Sequence, residues 1–276
     1  MFGGLSDAIA AAGINPAEPL PQIADGRVRR FGLEGDRPRV RNGWLQIFDN
    51  GDGTRGASFG DWKRGIRGTW HSGKPQRELS DQERREYARK MAEDRRRLAE
   101  AEERRHRQAA EKARHLWRKA QPAPQDHPYL ANKKIHPHGL RQLAGALVVP
   151  IRDSEGALIS LQFIDASGQK RFLSGGRIAG CYASIGQPPH DDGPLLIAEG
   201  YATAATLHEA TGHPVAIAFS AGNLRPVACA LAARYPRAQS VICADADPVG
   251  RKAAQEAAAA VGGTWIEPDF SESETP

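Results

Sequence analysis

Apolar residues are distributed along the chain in three textures. From residue 191 to 270 they form short unbroken runs: Leu195–Ala198, Val215–Phe219, Ser240–Ala244 and Thr264–Ile266. Between these runs lie stretches of helical character at Ala202–Ala210, Leu224–Tyr235 and Arg251–Val261. The runs are too short for helices and too continuous for a half-exposed strand. They predict buried strands of a parallel sheet covered by helices on both faces, an α/β domain. From 122 to 190 the texture is alternation. Ala146–Ile151, Ala157–Ile164 and Lys170–Leu173 read as strands of a small β-rich subdomain, turned at Asp153–Gly156 and Ser167–Gly168. Pro122 to Pro137 reads as a linker into it.

The front of the chain differs from both. Leu5–Ala12 reads as a short helix. Arg27–Leu33, Trp44–Asp49 and Arg55–Trp62 read as strands, and Asn50-Gly51-Asp52-Gly53 as a hairpin turn. Trp44 and Phe48 are expected in the core of this module, and Trp62 and Trp70 in more open positions. Residues 79–120 are rich in Glu, Arg, Lys and Ala. Ser80 with Glu83 forms a capping-box pattern, and neither Gly nor Pro interrupts until Pro122. A helix of roughly 60 Å follows from a rise of about 1.5 Å per residue. Its large apolar residues, Tyr87, Met91, Leu98, Leu116 and Trp117, make a thin stripe, so it reads as a solvated strut held by ion pairs. The predicted order is therefore a basic β-rich module (1–76), a charged linker helix (77–121), a β-rich subdomain (122–190), the α/β domain (191–270) and a tail (271–276).

Charge divides the chain in the same place. Residues 1–190 carry 33 basic and 22 acidic side chains, a net +11, whereas residues 191–276 carry 5 basic and 11 acidic ones, a net −6. A basic front suits a polyanionic partner. No apolar run approaches the roughly 18–20 residues needed to span a bilayer. The start lacks a basic region ahead of its apolar residues, so no signal peptide is expected. The three cysteines, Cys181, Cys229 and Cys243, are scattered and form no C-x-x-C pair. They indicate neither a disulfide framework nor a zinc ribbon, and fit a reducing cytoplasm. Nor do Ser174 and Ser220 have a recognisable His and acid partner set for a hydrolase.

The acids of the α/β domain fall at strand ends, where open parallel sheets bind ligands. The first strand ends in Glu199-Gly200 and the third in Asp245-Ala246-Asp247; Asp269 follows the fourth. If the first and third strands are neighbours, Glu199, Asp245 and Asp247 share one crevice. Grouped carboxylates call for a cation, and hard oxygen donors suit Mg²⁺ or Mn²⁺. Either Glu199 or Asp247 alone could instead be a helix cap.

The segments LVVPIRDSEGALISLQFID (147–165), GQKRFLSGG (168–176), IAEGYATAA (197–205), AFSAGNL (218–224) and ADADPVGRKAA (244–254) occur in this order. Together they resemble the Toprim domain and the core ahead of it in DnaG-type primases, most closely the TraC-like primases of plasmids, phages and integrative elements. The resemblance covers about residues 125–270 and, more faintly, 26–72. It implies a DNA primase that makes RNA primers from NTPs on single-stranded DNA, with a replicative helicase as a further partner. It implies Glu199 as general acid/base, Asp245 and Asp247 as metal ligands, and Asp269 as an outer carboxylate. Gly200 and Gly250 would allow close approach of nucleotide phosphate. Lys170, Arg171 and Arg177 would form a basic ridge for template and nucleotides. In the front module, Trp62 with Arg64 would offer stacking and phosphate contact. The HPYL segment at His127–Leu130 is expected to pack as a lead-in to the core, and His136 and His138 are not expected to bind metal. Two features depart from the pattern. Tyr201-Ala202-Thr203 supplies no acid after Glu-Gly, and no Asn-Asp pair follows Asp269-Phe270. The latter suggests a fragment or a minimal version. A Toprim nuclease, or a non-catalytic DNA-binding Toprim protein, remains an alternative.

Overall fold

A computed structural model describes residues 4–36, 40–73, 80–189 and 192–268. Asp269 and the tail 271–276 lie outside the described residues, as do the side chains of Tyr87 and Met91. The chain divides into two compact units, Met1–Arg97 and Leu98–Pro276.

The first unit holds α1 (Leu5–Ala11) and an antiparallel sheet in the order β1 (Arg29–Phe31), β2 (Gly43–Asp49), β3 (Arg55–Asp61), β4 (Ile66–His71). β4 is a strand that the sequence pattern did not reveal. The core is built from Ile9, Ile14, Phe31, Leu45, Ile47 and Phe59. Because strand side chains alternate, burying Leu45 and Ile47 turns Trp44 and Phe48 to the other face, where they are half-buried. Trp70 instead packs against the core. The expected placement of these three aromatics is thus reversed. Gly60 and Gly68 are required by close packing. A Cβ on Gly60 would stand 2.6 Å from the Trp44 indole nitrogen, and one on Gly68 2.6 Å from the Phe59 ring.

The long helix α2 (Asp81–Lys119) opens with the expected capping box. The Ser80 backbone N–H donates to Glu83 at 2.9 Å, and the Glu83 N–H donates back to the Ser80 hydroxyl at 3.3 Å. Its last third is not a solvated strut. Ala109, Ala110 and Ala113 are buried, and Leu116 and Trp117 pack beside Val148, Leu158 and Leu161. Alanines let the helix lie close to a sheet without large side chains, so the stripe looked thinner in sequence than it is.

In the second unit that sheet is β5 (Gln121–Pro122), β6 (Arg141–Leu143), β7 (Ala146–Arg152), β8 (Leu158–Ile164), β9 (Lys170–Phe172), antiparallel throughout. The supposed linker between β5 and β6 contains a helix, α3 (Pro128–Lys133). Pro128 starts it instead of breaking it, since a first-turn residue needs no N–H partner. His127 caps it by accepting the Tyr129 N–H at 3.2 Å, and its other ring nitrogen meets the Gly145 carbonyl at 3.0 Å.

A second five-stranded sheet follows. It contains β10 (Ala183–Ile185), β11 (Pro194–Ala198), β12 (Val215–Ile217), β13 (Gln239–Cys243) and β14 (Thr264–Ile266), in the order β10-β12-β11-β13-β14. The last four in chain order are parallel, and β10 is an antiparallel edge. Helices α4 (Tyr201–Thr211), α5 (Ala221–Arg234) and α6 (Pro248–Val261) connect them. One apolar cluster joins α4, β11 and β12 to β7; another places α5 and α6 against the opposite face. The expected α/β domain with both faces covered is therefore present. Asn223, 5% exposed, ties it to the preceding loop. Its amide nitrogen lies 2.8–3.1 Å from the carbonyls of Ile178, Cys181 and Ala218, and its oxygen accepts the Gly180 N–H at 2.8 Å.

Candidate active site

β11 and β13 are neighbours, paired in parallel with Ala198 opposite Cys243. Glu199 and Asp245 therefore emerge beyond the same edge of the sheet. Glu199 is half-buried. Burial pushes its carboxyl above the ordinary carboxylate range, and repulsion from Asp245 and then Asp247 adds to this. Lys170 and a hydrogen bond from the Ala221 backbone pull the other way. The three acids thus sense one another electrostatically, as their strand-end positions predict.

Asp247 is the N-cap of α6, its Oδ1 accepting the Gly250 N–H at 2.7 Å. The cap places the Asp247 carboxylate at the positive end of the α6 dipole. Gly250 is needed because a Cβ there would stand 3.0 Å from the Asp245 carbonyl oxygen. Beside Asp245 runs a groove of about 500 Å³ lined by Ala202, Thr203, Thr206, Ala246 and Ile266.

β9 supplies the basic side. A Cβ on Gly200 would lie 3.5 Å from the Lys170 ammonium, so Lys170 covers the Glu199-Gly200 turn. Two residues on, Phe172 meets Phe219 edge-to-face at 6.0 Å. Phe219 has φ of 69°, an unusual left-handed conformation for an aromatic residue, and its N–H donates to the Glu199 carbonyl at 2.8 Å. Lys170 and Phe172 share one strand face, so Arg171 projects from the other, where Asp165 feels its charge. Arg177 lies elsewhere, 3.8 Å from Asp153. Of the proposed basic ridge, Lys170 reaches the carboxylates. The Phe172–Phe219 pair and the Ala221 N–H were not anticipated. Phe219 ends an apolar run and looked like one more core residue.

In the first unit, Trp62 is 49% exposed, with Trp44 edge-on at 5.7 Å and the Arg30 guanidinium 5.4 Å from its ring. Arg64 is otherwise engaged. Its guanidinium donates to buried Asp61 and, at 2.8 Å, to the Gly13 carbonyl.

Among the described residues no helix is long and apolar enough to cross a membrane. Residues 194–268 match the Toprim domain family. Over 91% of its length the chain is 34% identical to a DNA primase TraC of Escherichia coli, covering 25% of that protein. A second Escherichia coli DNA primase TraC is 31% identical over 98% of the chain and 20% of its own length. The primase fragment of the bacteriophage T7 primase-helicase protein is similar at 20% identity and a TM-score of 0.41, over 51% of this chain and 64% of that one. Residues 194–268 thus form a Toprim domain, in a chain that spans a fifth to a quarter of the length of the TraC primases it matches.

Proposed function

We propose that the protein is a DNA primase, joining NTPs into RNA primers on the single-stranded DNA that a replicative helicase exposes. The observation that carries this reading is the crevice at the ends of β11 and β13, where Glu199, Asp245 and Asp247 repel one another beneath Lys170. Such hard-oxygen donors, short of compensating positive charge, fit Mg²⁺ or Mn²⁺. When bound, the ion would stabilise charge on the reacting phosphate and acidify the attacking hydroxyl. Asp245 and Asp247 would hold it, and Asp269 would contribute an outer carboxylate.

In the proposed reaction the primer 3′-oxygen bonds to the α-phosphorus of an NTP, and the bond to the β-phosphate oxygen breaks, releasing pyrophosphate. Glu199, already disposed to hold a proton, would take the hydroxyl proton. Lys170 would neutralise phosphate oxygens, with Arg171 and Arg177 contacting template further out. Gly200 and Gly250 keep side-chain bulk out of the phosphate path. The groove beside Asp245 is wide and apolar enough for a nucleobase. In the front module (1–76), Trp62 would stack on template bases, and its partner in this is better taken as Arg30 than Arg64. The segment 77–121, which contains α2, would join that module to the subdomain 122–190 and the catalytic domain 191–270.

The test is incorporation of labelled NTPs on single-stranded DNA with Mg²⁺ or Mn²⁺. Replacing both ligands, Asp245→Ala with Asp247→Ala, should lower synthesis at least about a hundredfold, since one well-placed electrostatic stabiliser is worth about 10²–10³. Undiminished synthesis would overturn the assignment. DNA nicking without NTPs, lost in Glu199→Ala, would move it to phosphodiester hydrolysis.

A further inference from the structure

At the far end of α4 from Glu199, about 15 Å along a helix of this length, lies a second group of metal-compatible side chains: His136, His138 and Glu209. One carboxylate oxygen, Glu209 Oε1, is met by both imidazoles, His136 Nδ1 at 3.2 Å and His138 Nε2 at 2.6 Å. It also accepts the His136 backbone N–H at 2.8 Å. We infer that His136, His138 and Glu209 form a binding site for a divalent transition metal, Zn²⁺ above all, separate from the Toprim acids and independent of the primase reading.

The donor atoms all lie within 4.8 Å of one another. Tetrahedral ligands bonded at about 2.0–2.1 Å stand about 3.3 Å apart. The 3.2 Å pair already has that spacing, and the 2.6 Å pair needs to open by less than an ångström. Two imidazoles and one carboxylate form a donor set suited to zinc, leaving a fourth position for water. The ion would take the place of the imidazole protons now directed at the carboxylate.

The site is built on a fixed frame. His136 is held at both ends of its peptide: its N–H binds Glu209, and its carbonyl accepts the hydroxyl of buried Tyr201 at 2.9 Å. Tyr201 and Glu209 both belong to α4. Pro137 stiffens the chain between the two histidines, and His138 has φ of 40°, a left-handed turn that brings its ring back to the helix. Behind it the His208 ring packs edge-on at 5.2 Å, itself anchored by Nδ1 to the His213 carbonyl at 2.7 Å. His136 is 64% exposed, so an ion can enter from solvent. Occupied, the site would clamp the segment after α3 to the last turn of α4.

The experiment is titration of the metal-stripped full chain with ZnCl₂ at pH 7.5, followed calorimetrically, and with CoCl₂, followed by visible absorption. One equivalent of zinc should bind, and cobalt should give tetrahedral bands without a thiolate charge-transfer band. His138→Ala and Glu209→Gln should each weaken binding by at least about tenfold, the scale on which even indirect support of a metal ligand matters. Cys229→Ser removes the exposed thiol and should bind as wild type; in Asp245→Ala/Asp247→Ala any zinc taken up by the Toprim acids is lost, and the tetrahedral cobalt bands of the His136–His138–Glu209 group should persist. Absence of saturable zinc binding and of cobalt bands in the wild type would overturn the site. So would binding undiminished in His138→Ala, or lost in Cys229→Ser. The cobalt spectrum decides even if a variant fails to fold.

Discussion

Asn223 makes the most demanding structural prediction. Its side chain is 5% exposed and serves four backbone groups, three of them carbonyls within 3.1 Å of one amide nitrogen. Asn223→Ala strands the Gly180 N–H and removes the donor facing Ile178, Cys181 and Ala218. A neutral hydrogen bond contributes about 1 kcal/mol net, and a buried group left unpaired costs about 1–3 kcal/mol. The variant should therefore lose about 3 kcal/mol. Tm of this unit should fall by about 6–12 °C, given about 2–4 °C per kcal/mol for units of this size. Hydrogen exchange reads the same quantity locally: global-opening protection of the β11 and β13 amides should drop about a hundredfold, at about 1.4 kcal/mol per tenfold. Asn223→Asp separates hydrogen bonding from packing. It keeps the volume but turns an acceptor toward three carbonyls, so it should be at least as destabilised as the alanine variant. An aspartate variant of wild-type stability would refute the reasoning, as would an alanine variant within about 1 kcal/mol of wild type.

Three further outcomes follow from particular contacts. Lys170 opposes the upward push on the Glu199 carboxyl; in Lys170→Met that opposition is gone, and the carboxyl rises further. If Glu199 must be ionised to accept a proton, activity is lost as pH falls through its pKa, so the acid limb of the primer-synthesis profile should move to higher pH; an unmoved limb refutes the role. Gly250→Ala puts a methyl 3.0 Å from the Asp245 carbonyl oxygen. Asp245 then gives way by a few tenths of an ångström, and metal-dependent synthesis should fall about tenfold, in proportion to the about 10² that a full ångström can cost. Denaturation of the variant checks that the domain still folds. Arg64→Met leaves buried Asp61 without its guanidinium partner and should destabilise the first unit by about 1–2 kcal/mol in urea, less than for a fully buried pair because Arg64 is half exposed. Weaker single-strand binding with unchanged stability would return Arg64 to the phosphate-contacting set.

The legible and illegible parts of the chain differ in the range of the interactions that determine them. Unbroken apolar runs with acids at their ends announced β11, β13 and the crevice, because burial on both faces and strand-end chemistry are both written locally. Phase was harder. In Trp44-Leu45-Gln46-Ile47-Phe48 both strand faces carry large apolar residues, so the pattern could not say which set faces the core. The short edge strand β10 has three residues and too little sequence to declare itself. The Asn223 network and the His136–His138–Glu209 group join residues 42–45 and 71–73 positions apart, and no local spacing encodes such a meeting.

Asp247 shows why a local reading could not choose between cap and ligand: the two roles need not compete. An N-cap uses one carboxylate oxygen to accept a helix N–H, here Oδ1 from Gly250. It thereby fixes the orientation of the second oxygen at little cost in side-chain entropy. The same bond sets α6 so that Gly250, lacking a Cβ, can rest against Asp245. One capping interaction thus orients Asp247 and seats α6 against the Asp245 backbone at the end of β13. The net −6 of the region 191–276 is not spread evenly in effect. Its consequential charges are held at a strand end by backbone hydrogen bonding, where burial of Glu199 raises the energy of leaving them uncompensated. That is the condition under which an acidic site attracts a cation, and through it the polyanion that a bare cluster of carboxylates would repel.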